Sequence, residues 1–269
     1  MQLFDRPNPY LAMFSVALKN SMAYRADFLM TLASRFVQAG LMVFIWTAIY
    51  HFTNTNSILG ITLSTIYVYF FLVYAFRSVI NMEVPSVVQQ DILEGSIAAT
   101  YTRPIRYPLQ VFVNASAGDF ISILVAMLPL IVIAFVLYGA PLSVPTIMLM
   151  LAELAIGYAL VSLIGFMIGM LAVKITYVYG IIEATWSVML LLGGGILPLS
   201  FFPSAVFNIL MLTPFPIMLY MPAMTFLGTA SVGEIMGSIA VSLAWLAVFF
   251  LASLVVWSRV RKSITSAGG

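Results

Sequence analysis

Long apolar runs, broken by charge, proline or polar turns, organise this chain. A bilayer core of about 30 Å requires roughly 20 apolar residues of helix. Six segments meet that requirement: 28–52, 61–82, 111–137, 145–173, 178–197 and 235–257. The pattern predicts an all-α integral membrane protein with six transmembrane helices, a single domain over 1–269. Segment 198–228 is equally apolar but carries Pro198, Pro203, Pro214, Pro216 and Pro222. Interior prolines remove helical hydrogen bonds, so this stretch is expected to form broken outer re-entrant helices packed against protein. Ahead of the first run, Leu11, Phe14, Leu18 and Met22 recur at helical spacing. They predict an interfacial amphipathic helix over 10–25, the alternative being an early extension of the first span. Asp5, Arg6, Pro7 and Pro9 do not fit a signal peptide.

The charges orient these spans. Arg6, Lys19 and Arg25 precede the first, Arg103 and Arg106 separate the second and third, Lys174 separates the fourth and fifth, and Arg259, Arg261 and Lys262 follow the last. Loops 53–60 and 139–143 and the proline-rich segment contain neither Lys nor Arg. The positive-inside rule therefore predicts cytoplasmic N- and C-termini.

Composition removes several function classes. The chain is 63 % hydrophobic and 7 % charged, against roughly 25 % charged in soluble proteins. It has no cysteine and a single histidine, His51, so thiolate sites and histidine clusters are excluded. Its lysines are Lys19, Lys174 and Lys262, none after a glycine. A P-loop needs Gly-Lys-Ser/Thr, so an ATP motor of that type would have to reside on another polypeptide.

The longest polar stretch, 83–110, is a cytoplasmic loop in this topology. Within it, 87–95 reads as a short helix ended by Gly95, with Asp91 and Glu94 on one face and Val88, Ile92 and Leu93 on the other. It is either a solvated loop with a helical turn or a handle for a cytoplasmic partner. Asp27, Arg35, Arg77, Asp119, Glu153 and Glu183 fall inside or near spans, where an unpaired charge costs about 2.5–3.5 kcal/mol. Arg77 can pair with Glu183, or each can snorkel separately. Glu153 stands alone as a carboxylate on the outer half. Gly165-Phe-Met-Ile-Gly169 and Gly233-Glu-Ile-Met-Gly237 match the small-xxx-small packing pattern. Gly193, Gly194 and Gly195 should loosen the fifth span at its outer end. The aromatic stripe Tyr67, Tyr69, Phe70, Phe71, Tyr74 and Phe76, with Trp186 on the fifth span, reads as packing or an interfacial belt more often than as a ligand surface.

Together these features resemble the type 2 ABC transporter permeases. Tyr24-Arg25-Ala26-Asp27-Phe28 resembles that family's first-span start. Asp91-Ile92-Leu93-Glu94-Gly95-Ser96-Ile97, with Thr102-Arg103-Pro104, resembles its coupling-helix segment. Leu197-Pro198-Leu199-Ser200-Phe201-Phe202-Pro203 and Thr213-Pro214-Phe215-Pro216 resemble its outer re-entrant region. The resemblance implies an exporter subunit, without ATPase activity of its own, in a prokaryotic cytoplasmic (inner) membrane. It implies a second permease subunit, identical or related, and separate ABC ATPase subunits that bind ATP and Mg, leaving no cofactor on this chain. It places Gln90, Asp91, Glu94, Gly95 and Arg103 at the ATPase-coupling contact. Tyr67, Phe70, Tyr74, Arg77, Glu183 and Trp186 would lie on a substrate route suited to a hydrophobic or amphipathic molecule. Gly193, Gly194, Gly195, Pro198, Pro214 and Pro216 would form an outer gate. An ion-gradient-driven secondary transporter is the second reading and an intramembrane enzyme the third. The first would be expected to carry internal repeats and midplane ionisable groups, the second a catalytic constellation.

Overall fold

The computed structural model describes residues 9–23, 25–99, 106–139 and 143–267. Arg103, Thr102 and Pro104 lie outside them. The described chain is almost wholly helical. A helix α1 (Pro9–Ala23) precedes α2 (Arg25–Thr53), and α1 packs along the later helix α6 (Tyr107–Ser122), with Phe14 edge-on to Phe120 at 6.2 Å. Leu11, on the apolar face expected at the membrane interface, is 67 % exposed on the protein. After α2 comes a hairpin of two-residue strands, β1 (Ser57–Ile58) and β2 (Ile61–Thr62), a detail the apolar pattern does not encode. Tyr50 of α2 donates to the Ile61 carbonyl (2.7 Å) and holds the hairpin down.

Among the described residues, four helices are long and apolar enough to cross a membrane: 33–53 within α2, 107–138, 144–173 and 232–262. The second and fifth apolar runs give shorter helices than expected, α3 (Leu63–Phe76) and α9 (Tyr179–Leu192), each of 14 residues. At 1.5 Å per residue each is about 21 Å long, less than the hydrocarbon thickness. Helix α3 ends at Arg77, and the chain turns before α4 (Glu83–Leu93) and the one-turn α5 (Ser96–Ala99). Helix α9 ends at the glycine triplet.

The third run is a single rod with a defect. Helix α6 passes through a π turn, Ile123–Met127, into α7 (Leu128–Tyr138). Pro129 explains the turn, because it lacks an amide donor and its ring crowds the carbonyl four residues back. Next come α8 (Val144–Met170) and a 3-10 turn, Leu171–Val173. The proline-rich segment is broken as its sequence requires. It contains 3-10 turns at Leu199–Phe201 and Pro216–Met218 and the short helices α10 (Ser204–Leu210) and α11 (Tyr220–Leu227). The last helix is α12 (Val232–Ala267). Ser231 and Glu234 cap its start reciprocally: the Ser231 amide donates to the Glu234 carboxylate (2.8 Å) and the Glu234 amide to the Ser231 hydroxyl (3.3 Å). Glu234, in the first turn of α12, is a second carboxylate at the end where Glu153 is expected to stand alone.

Helix α3 carries no charge, and nine of its 14 residues are buried, so it forms the axis of the core. It packs against α2, α7 and α11. A second apolar cluster lies at the opposite end, where Val84 and Val88 of α4 meet Tyr107 and Val111 of α6 and Phe166 and Met170 of α8. The two glycine patterns part company here. A Cβ on Gly165 would stand 2.8 Å from Pro85 Cδ, and one on Gly169 would stand 2.6 Å from Val88 Cβ. Gly165 and Gly169 are thus the seat of α4 on α8. Gly237 faces open space, and a Cβ on Gly233 would meet nothing nearer than the Ser231 hydroxyl at 4.0 Å.

Candidate functional site

Segment 87–95 is the distal part of α4 with its cap, Glu94, and stop, Gly95. Gln90 and Glu94 are exposed and bond each other, the Gln90 amide donating to the Glu94 carboxylate at 2.8 Å. Gly95 follows in the left-handed region (φ +72°), which stops the helix as its sequence position suggests. Asp91 points inward. One carboxylate oxygen accepts the Ser96 hydroxyl (2.8 Å) and the other the Tyr107 hydroxyl (3.0 Å), so Asp91 fastens α5 and α6 to α4. The buried face is Val84, Pro85 and Val88, whereas Leu93 is 44 % exposed. The exposed tip of this segment is Gln90, Glu94 and Gly95, and Asp91 holds it from behind.

The root of α4 is equally constrained. Asn81 lies in the turn after α3, where its side-chain oxygen accepts the Glu83 amide (3.0 Å) at the start of α4. Its side-chain nitrogen donates to Asp119 of α6 (2.7 Å), whose other oxygen accepts the Tyr158 hydroxyl of α8 (2.8 Å). Asp119 is 5 % exposed and has hydrogen bonds to both oxygens, which meets the requirement for burying a carboxylate. Gln89 accepts the Val178 amide at the start of α9 (2.9 Å). Tyr107 stacks on Trp257 of α12 at 5.2 Å. Helix α4 therefore has direct or one-step connections to α6, α8, α9 and α12. Asn81, Gln89 and Tyr158 carry no signal in the sequence, because a single amide or phenol in an apolar run gives no hint of its partner. Asp119 is visible there only as an intramembrane charge.

The route residues separate into two environments. Phe70 is fully buried and stacks on Trp46 of α2 at 6.0 Å, and Tyr74 is 3 % exposed, so both pack the core. Tyr67 bonds Thr47 through its hydroxyl at 2.6 Å. Arg77 does not pair with Glu183. Its guanidinium lies over the rings of Tyr74 (5.0 Å) and Trp186 (5.7 Å), and Glu183 is exposed on α9. The ring faces attract the cation where no carboxylate reaches it.

Beyond α9, Gly193, Gly194 and Gly195 are buried, as are Pro198, Pro214 and Pro216. The Tyr69 hydroxyl donates to the Gly194 carbonyl (2.6 Å), and the Tyr220 amide donates to that of Gly193 (3.0 Å). Gly194 has φ +82°, and a Cβ there would stand 2.6 Å from the Tyr69 hydroxyl, so glycine is needed twice over. Beside this junction is a cavity of about 540 Å³ between α3, the broken segment and α12, lined mainly by apolar side chains such as Ile66, Phe207, Met211 and Met224. Glu153 is fully buried on α8 and accepts the Thr225 hydroxyl of α11 (2.8 Å), tying the broken segment to a long helix. Among the described residues no cluster of His, Asp or Glu could hold a metal ion.

Long apolar helices and a broken proline-rich segment define a multi-pass integral membrane protein. A family model described as ABC-2 family transporter protein matches residues 36–268. The chain belongs to that family and is a membrane permease component of an ABC transporter. The family assignment selects this class over the ion-gradient and intramembrane-enzyme readings. A search of curated proteins gives no match.

Proposed function

We propose that the chain is the membrane subunit of an ATP-driven exporter, pairing with a second permease and driven by separate ATPase subunits that bind ATP and Mg. The chain itself binds no cofactor. Six crossings with both termini cytoplasmic accommodate the two short helices if the turn after α3 and the glycine triplet after α9 complete those spans. The charge distribution supports that orientation, in a prokaryotic cytoplasmic membrane.

One observation carries the coupling role: α4 presents Gln90, Glu94 and Gly95 to solvent while its other face is wedged onto Gly165 and Gly169 and bonded to its neighbours. A force on the exposed tip is transmitted to α8 by contact and to α9 through Gln89. Closure of an ATPase dimer gripping α4 would favour one arrangement of the spans over another, a population shift driven by differential binding. Arg103 would belong to the same contact. The junction of Gly193–Gly195 with Pro198, Pro214 and Pro216 would act as the outer gate, and the apolar cavity beside it suits a hydrophobic or amphipathic substrate.

The test is a mild-detergent pull-down of the tagged chain from its own cells, read by mass spectrometry. Wild type should bring down a Walker-motif ATPase. Glu94→Lys should lose most of it, roughly tenfold or more, with unchanged thermal melting, because the residue is exposed and its neighbour Gln90 is polar. Recovery of wild type without an ATPase across several detergents would overturn the proposal.

A further inference from the structure

Among the described residues that line the cavity beside the glycine junction, only Glu234 is charged. The cavity volume of about 540 Å³ falls within the roughly 300–1,000 Å³ of small-molecule sites. From α12 its lining includes Glu234, Ser238 and Val241, which recur at helical spacing and form one face of that helix. Glu234 stands in the first turn, and Val241 lies about 10 Å further along the axis. The cavity thus has a carboxylate at one end and a largely apolar wall beyond it. Three rings line it together. Tyr69 of α3 is edge-on to Tyr220 of α11 at 6.4 Å, and Phe207 of α10 is edge-on to the same Tyr220 at 6.0 Å. Met211, Met221 and Met224 add thioethers to the lining. Trp245 of α12 donates to the Leu212 carbonyl (2.9 Å), which fixes α12 against the broken segment.

The Glu234 Oε2 accepts the Ser231 amide (2.8 Å) and hydroxyl (2.7 Å), so the carboxylate is held in place with Oε1 left over. Ring faces and a carboxylate attract a cation, while rings and thioethers suit an apolar body. An anion would meet the carboxylate with no basic group in the lining to offset it. A compact ammonium ion would give up its hydration for a wall that returns few hydrogen bonds.

We infer that this cavity binds a lipophilic organic cation, its body against Phe207, Tyr220 and Met224 and its charge toward Glu234. The inference names the charge class of the substrate proposed for this cavity and rests on the permease reading for that meaning. Binding itself does not depend on the ATPase. Because Glu234 is exposed, it sets the preference for charge more than the affinity.

The experiment measures saturable binding to the purified full-length chain in neutral detergent by equilibrium dialysis, with protein-free micelles as the blank. The probes are tetraphenylphosphonium and tetraphenylborate, ions of the same shape and opposite charge. Wild type should bind the phosphonium roughly tenfold tighter than the borate. Glu234→Gln keeps a side chain able to bond back to Ser231. It should cut the preference to about threefold or less, the remainder coming from the rings. Phe207→Leu keeps apolar bulk, loses a ring and should weaken phosphonium binding roughly threefold. Equal binding of the two ions by wild type would overturn the charge assignment. Phosphonium binding untouched by both variants would overturn the site, as would no saturable binding at all. Phosphonium binding by a chain that captures no ATPase upholds the site while the exporter proposal falls. ATPase capture without phosphonium binding does the reverse.

Discussion

Gly169→Leu is expected to unseat α4 and abolish ATPase capture, whereas Gly237→Leu is expected to leave capture unchanged. Both glycines close a small-xxx-small pattern, and hydropathy cannot rank them. The structure does: a Cβ on Gly169 meets Val88 Cβ at 2.6 Å and the Pro85 carbonyl at 2.9 Å, while one on Gly237 meets nothing within 4 Å. Overpacking a close contact costs about 1–3 kcal/mol. Helix α4 can escape only by moving away from α8, which disturbs Asp91 with Ser96 and Tyr107, and Gln89 with Val178. Co-purification of the ATPase with each variant, alongside thermal melting in detergent, checks this. Equal capture by the two variants would mean that the seat of α4 on α8 does not matter for partner binding.

The second large effect belongs to the outer junction. Gly194→Ala forces a left-handed backbone on a residue with a Cβ and drives that Cβ to 2.6 Å from the Tyr69 hydroxyl and 3.0 Å from Tyr220 Cβ. The conformational cost of about 1–2 kcal/mol adds to displacement of the Tyr69 hydroxyl, which donates to the Gly194 carbonyl. The total expected is roughly 2–4 kcal/mol, with a clear drop in melting temperature. Gly180→Ala, in the first turn of α9, is the control. Its site is open and helical, so alanine there should be neutral or mildly stabilising. Identical melting of the two variants would contradict the requirement for glycine at position 194.

The sequence reveals what depends on composition within one segment and hides what depends on contact between segments. The long helices and the broken proline-rich stretch follow from apolar length and missing amide donors, and Gly95 marks the end of α4. The truncation of α3 is hidden because the apolar run continues past Phe76. Asn81 accepts the Glu83 amide at the start of α4, and hydropathy does not register such a bond. The π turn is hidden behind the apolar neighbours of Pro129. At the coupling segment, the positions of Asp91 and Glu94 are adjacent on a helical surface, yet one is bonded inward by Tyr107 and the other is exposed. That difference arises from a residue 16 positions away. The Arg77–Glu183 pair, one of two readings, is not formed for a similar reason, since Arg77 lies over the rings of Tyr74 and Trp186 and neither announces that role in sequence.

The most direct test of the coupling role uses the absence of cysteine from the chain. Glu94→Cys creates a unique thiol at the exposed tip of α4. Treating membranes that contain the assembled complex with a short thiol-to-amine cross-linker, then sequencing the adduct, identifies what the tip touches. The account predicts an adduct with a Walker-motif ATPase, diminished when Gly169→Leu is added. Efficient labelling of the introduced thiol with no ATPase adduct, in membranes where the ATPase is present, would contradict it.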